Sequence, residues 1–180
     1  MKRLLFLFFV FGFFLGFVAS VHAQAKPEHD PLKPRVPPDK IAAAKAMKPP
    51  FAATPAIIAE GKALFTGKAT CFICHGPEGK GDGPLSLTDQ VKVGPRNFTN
   101  PAFHKAKTCG EMFWTASNGS RGDFSVKGKP SHKDGTGMVS YLIGHKSELL
   151  PTKIPDTPTV TKDELWKIVL FERSLGKGTC

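Results

Sequence analysis

The sequence lacks an apolar run long enough to span a membrane: the longest, Leu4 to Val18, falls short of the ~20 residues a crossing helix needs. Cysteine is scarce as well, four residues in 180. Cys71 and Cys74 stand together, while Cys109 and Cys180 are too scattered to add a second pair at metal-finger spacing, which excludes a structural zinc site. A thioredoxin-type redox pair would follow a buried strand, but Cys71 follows a helical pattern and a Gly67-Lys68 turn. Acidic residues are outnumbered, 15 against 25 Lys+Arg, for a formal net charge of +10. The lysines are dispersed, with no tract like a nucleic-acid arm, so no nucleic-acid partner is expected.

One stretch has no competitor. Cys71-Phe72-Ile73-Cys74-His75 is C-x-x-C-H, the arrangement that attaches a c-type haem. In a short helical turn the two thiols project to one side, where they can add to two vinyl groups, and His75 can turn its imidazole under the iron.

Residues 1–23 read as a secretory signal: Lys2 and Arg3 precede the apolar run, and Val21-His22-Ala23 offers small residues at the cleavage-specifying positions. Cleavage after Ala23 is expected, and contact with a membrane only through an uncleaved signal or a partner complex. The mature chain keeps a net charge of +8, two fewer than the +10 of the whole, which can steer an acidic partner or simply maintain solubility. Residues 24–53 carry Pro27, Pro31, Pro34, Pro37, Pro38, Pro49 and Pro50 and read as an extended Pro-rich arm in which only Asp39 to Met47 can coil briefly.

The domain proper is expected at 54–176, with a tail at 177–180. Thr54 and Pro55 start a helix as N-cap and first residue, with Gly61 and Phe65 on one face and Gly67 as the stop. Thr161 to Glu164 forms a capping box before Leu165, Trp166, Ile168, Val169, Phe171 and Leu175, and Gly176 ends that helix. Its apolar positions are too many for one stripe, so it is expected to be buried on more than one side. A weaker helical pattern runs from Thr108 to Asn118; the remainder reads as loops. In an oxidising compartment Cys109 and Cys180 can pair, or Cys180 can stay free.

With these elements placed, the sequence resembles the class I cytochromes c. The residues that carry the resemblance are Gly61 to Phe65, Cys71 to His75, the Gly-rich loop Gly76 to Pro84, Phe113-Trp114 to Asn118-Gly119, Gly135-Thr136-Gly137-Met138, and Glu164-Leu165-Trp166 to Phe171. The resemblance implies an all-α fold, three to five short helices wrapped around one covalently bound haem c, with the first and last helices crossed near Gly61 and Phe171. It implies thioether attachment at Cys71 and Cys74, His75 as proximal and Met138 as distal iron ligand, and the carbonyl of Pro84 holding the His75 ring. Arg96 and Trp114 would contact the haem propionates. Since bacteria attach haem c outside the cytoplasmic membrane, it also implies a periplasmic location.

Two features depart from the family pattern. Ser120 to Gly137 intervenes between the Asn-Gly turn and Met138, and Val139 stands where a proline commonly follows the ligand methionine. A second long loop spans Gly144 to Val160. Met112 reads as a core residue, and His104, His132 and His145 as solvated loop residues, with His132 the alternative distal ligand. The expected function is that of a periplasmic electron carrier, not an enzyme, passing single electrons between redox partners with an acidic docking surface. The alternatives are a dedicated haem subunit of a larger redox complex, or, with the iron left open, a ligand-binding or peroxidase-type haem protein.

Overall fold

Side-chain caps decide where the long helices begin. In the computed structural model, which describes residues 33–88, 91, 93–119, 138–142 and 159–180 in full and only the backbone of 125–126 and 129–130, six α-helical segments occur among the described residues. They are α1 (Ile41–Ala46), α2 (Pro55–Thr66), α3 (Phe72–His75), α4 (Pro101–Ala106), α5 (Cys109–Asn118) and α6 (Lys162–Leu175). The Thr54 hydroxyl accepts from Ile57 N at the start of α2, and capping boxes open α5 at Thr108 with Glu111 and α6 at Thr161 with Glu164. The surplus over three to five helices comes from α1, inside the Pro-rich arm, and from the single turn α3. α4 was not expected; its start, Asn100 capping Ala102 N before Pro101, is the same kind of signal as Thr54-Pro55. A two-residue antiparallel ladder, Ser125–Val126 with Lys129–Pro130, makes the one sheet among the described residues. The expected signal segment at 1–23, the 120–137 insertion apart from the backbone of that ladder, and most of the 144–160 loop lie outside the described residues.

The core is the crossing of α2 and α6. A Cβ on Gly61 would overlap the carbonyl of Lys167 and lie 3.0 Å from Phe171 Cβ, so the two backbones meet where only glycine fits. Beside it Phe65, fully buried, meets Phe171 edge to face with ring centroids 5.3 Å apart. As expected, α6 is buried on more than one side: Leu165, Trp166, Ile168, Val169, Leu170, Phe171 and Glu172 are all enclosed. Phe113 of α5 stacks on Trp166 at 4.0 Å, which ties α5 to the other side of α6. At the surface, Lys167 of α6 pairs with Glu60 of α2, and Lys68, just past α2, pairs with Glu164 of α6 (2.8 Å). Such exposed pairs contribute little, ~0–1 kcal/mol each, so apolar burial dominates the crossing.

The arm runs over the domain and docks on it. A 3-10 turn (Pro38–Lys40) leads into α1, matching the brief coil expected from Asp39, and Ala44 is fully buried. The side chain of Gly110 is absent where the Ala44 and Met47 carbonyls approach α5, so α1 sits directly on α5. At the other end of the chain, Cys109 and Cys180 form a disulfide, with Cα atoms 5.6 Å apart, that anchors the tail to the start of α5.

Candidate functional site

Three groups from one helical turn make the centre of the site. Cys71 and Cys74 are free thiols, the first buried, the second half-buried, and His75 is 6% exposed. The turn forms because Cys74 N and His75 N both bond back to the Cys71 carbonyl, which sets the two sulfurs three residues apart on one side. Burial pushes the Cys74 thiol up to about 11 and the Cys71 thiol further still, so both are neutral thiols at neutral pH.

His75 is prepared as a ligand. Its Nδ1 lies 3.0 Å from the carbonyl of Arg96, so the ring donates there and leaves Nε2 unprotonated. Burial lowers its pKa to about 4, which keeps the imidazole neutral with a lone pair to give. Phe98 stacks on the ring at 4.6 Å and Phe65 stands 6.4 Å away, so the imidazole cannot turn without moving the core.

The carbonyl that fixes His75 is therefore that of Arg96 and not, as the family resemblance implied, that of Pro84. The reason lies in the backbone: Pro84 opens a 3-10 turn (Pro84–Leu87) packed against α3, while the chain returning at 93–98 brings Arg96 under the ring. The Arg96 guanidinium donates to the Lys33 carbonyl at 3.1 Å and lies 5.4 Å over the Phe103 ring, tying the arm to the loop that holds His75. Trp114 is half-buried on α5 and makes no side-chain hydrogen bond or ring stack among the described residues.

Met138 is half-buried and packs against the core cluster. Its segment is pinned to the end of α5: Tyr141 N and Leu142 N donate to the Ala116 and Ser117 carbonyls, and Ser140 Oγ donates to the Ser117 carbonyl at 2.7 Å. Three residues past Met138, the Tyr141 hydroxyl accepts from the Cys71 thiol at 3.7 Å, which brings this segment to the attachment cysteines. Of the rivals, Met112 is a buried core residue as expected, and His132 and His145 lie outside the described residues. His104 corrects the expectation of a solvated loop histidine. It is buried on α4, its ring between the Phe98 carbonyl and Arg173, and so is committed to structure.

Two neutral thiols, an imidazole with a free Nε2 and an apolar surround of Phe65, Phe98, Tyr141 and Met138 form a donor set that fits a covalently attached haem. The cytochrome c family model matches residues 58–175. The chain belongs to the cytochrome c family. As a class I c-type cytochrome it holds haem c covalently, and it is an electron-carrying haem protein. A chain of the reducing HAO-like protein complex of Kuenenia stuttgartiensis is similar, at 23% identity and a TM-score of 0.46. That match covers 70% of this cytochrome and 46% of the other chain, so this cytochrome spans less than half of its relative's length. No curated protein matches the sequence.

Sequence reasoning overlooked two parts of this site: the Arg96 carbonyl and Tyr141 against Cys71. The first carries no signal, since every residue has a carbonyl. Tyr141 is the chain's single tyrosine, close after Met138.

Proposed function

We propose that this cytochrome is a periplasmic mono-haem electron carrier without catalytic turnover of its own, in which His75 and Met138 would hold the iron. The observation that supports the reading is the docking of the segment just after Met138 to α5 and, through Tyr141, to Cys71. Bound haem c supplies a one-electron couple. His75 would give its Nε2 lone pair, with the Arg96 carbonyl holding the ring, and a Met138 thioether would favour the reduced iron and raise the potential. A chain that holds both axial donors in place need not rearrange on electron transfer, which suits shuttling. Arg96 and Trp114 remain the proposed propionate contacts. The disulfide Cys109–Cys180 supports an oxidising compartment and hence export with the leader removed after Ala23.

The holo-protein in its oxidised form is expected to show the weak near-infrared band of sulfur-to-iron charge transfer, and Met138→Ala is expected to lose it while gaining carbon monoxide binding when reduced. A band that survives Met138→Ala, or carbon monoxide binding by the reduced wild type at neutral pH, overturns the His/Met assignment in favour of His132 or an open site.

The excess of basic residues supports a partner with an acidic docking surface. Electron-transfer rates with such a partner are expected to fall as salt rises from low to physiological concentration, because screening shortens the reach of the steering field. A flat profile refutes electrostatic steering and leaves net charge as a solubility feature.

A further inference from the structure

We propose that His104 is a positioning residue for the proximal ligand: its hydrogen bond to the Phe98 carbonyl fixes the 96–98 segment that holds the His75 imidazole, and so sets how strongly His75 donates to a bound haem. The inference rests on His75 as the proximal ligand. It is independent of the distal ligand and of the partners.

Two contacts hold the His75 ring from one short stretch of chain. The Arg96 carbonyl lies 3.0 Å from Nδ1, and the Phe98 ring stacks on the imidazole at 4.6 Å with 21° between the planes. The end of that stretch is secured by two hydrogen bonds. Phe98 N donates to the Gly79 carbonyl at 2.7 Å, and His104 Nε2 lies 2.5 Å from the Phe98 carbonyl. The first is a backbone bond open to any residue but proline; the second needs a side-chain donor at position 104. An apolar side chain of similar size would fill the same space on α4 and leave the Phe98 carbonyl without that donor.

The neighbours of His104 assign both of its ring nitrogens, because a guanidinium can only donate and a carbonyl can only accept. Arg173 Nη1 lies 3.3 Å from Nδ1, so Nδ1 accepts and the ring proton sits on Nε2, facing the Phe98 carbonyl. Arg173 is itself held in place: Nη1 donates to the Lys107 carbonyl at 2.7 Å and Nε to the Thr179 carbonyl at 3.1 Å. A Cβ on Gly176 would overlap the His104 ring, so the end of α6 closes directly over it. Burial lowers the His104 pKa below its ordinary value, and the Arg173 guanidinium adds to the effect, which keeps the ring neutral at pH 7.

A hydrogen bond from Nδ1–H to a carbonyl makes an imidazole a more basic ligand, which favours oxidised iron. Without the His104 donor the 96–98 segment is free to shift, and the bond from His75 Nδ1 to the Arg96 carbonyl weakens. His75 then donates less and the reduced state gains.

Redox titration and NMR of the holo-protein test this. His104→Leu is expected to shift the reduction equilibrium about threefold toward the reduced form, or ~28 mV at ~59 mV per tenfold for a one-electron couple. It is also expected to speed solvent exchange of the His75 Nδ1 proton about tenfold. His104→Gln, whose side-chain amide keeps an N–H donor, is expected to return both toward wild type. Thr161→Ala weakens the fold by removing the cap of α6 and is expected to move neither, which separates positioning from general loss of stability. A potential unmoved in His104→Leu, a shift that Thr161→Ala reproduces, or one that His104→Gln leaves in full overturns the proposal. On the wild type alone, nitrogen-15 NMR at pH 7 is expected to place the His104 proton on Nε2; a proton on Nδ1, or on both nitrogens, overturns it even if His104→Leu does not fold. A wild-type spectrum without iron-bound His75 refutes the proximal assignment and this inference together, whereas a bound His75 with an unmoved potential refutes this inference alone.

Discussion

Gly61→Ala is expected to lower stability by ~2 kcal/mol and the melting midpoint by roughly 4–8 °C. The added methyl would overlap the Lys167 carbonyl oxygen, a backbone atom that cannot rotate away, and press on Phe171 Cβ. Overpacking of this kind costs ~1–3 kcal/mol, and contact with backbone puts it at the upper end. Alanine returns up to ~1 kcal/mol of helix propensity, which is why the net figure is lower. The strain should also reach the site, because separating α2 from α6 loosens Phe65, whose ring lies near both Phe171 and His75. Urea and thermal unfolding of the holo-protein measure the effect. Ala63→Ser, on the exposed face of the same helix, should stay within ~0.5 kcal/mol and serves as the control. A Gly61→Ala protein as stable as the wild type would mean the helices do not cross at this residue.

Cys109→Ser is expected to cost ~4 kcal/mol, since the bond closes a loop with a sequence separation of 71 and removes that much entropy from the unfolded chain. The effect should fall somewhat below the full value, because the tail is also held by Arg173 Nε and Gly178 N, which donate to the Thr179 and Arg173 carbonyls at 3.1 Å each. A thiol reductant should destabilise wild type by about the same amount and leave Cys109→Ser unchanged. Thioethers at Cys71 and Cys74 resist reduction, so haem retention under reductant separates the two kinds of cysteine. A melting curve indifferent to reductant would show that the bond is not present in solution.

Much of the helical frame was legible because its signals are local. Thr54-Pro55, the Thr161 box and the terminating Gly67 and Gly176 act within a few residues of themselves, so the observed α2 and α6 begin and end where the sequence indicates. Gly61 with Phe65 could also be read, as a small residue beside a large one on a single face. α4 escaped notice although Asn100-Pro101 is a comparable start, because its six residues present no sustained apolar period. His104 looked solvated beside Lys105, yet α4 turns it inward under the tail.

The sequence by itself determined the chemistry of the attachment turn, the family, and the class of fold, because covalent attachment, helix capping and helical periodicity depend on residue type at short range. Only the tertiary structure decided that Arg96 and not Pro84 holds His75, since a carbonyl acquires its role from the path of the loop that carries it. Tertiary packing likewise chose Cys180 as the partner of Cys109 and seated the Pro-rich arm on α5 through Ala44 and Gly110. It also enclosed Glu172 on α6. The burial of that carboxyl is a property of everything packed around it, and no spacing along the chain specifies that.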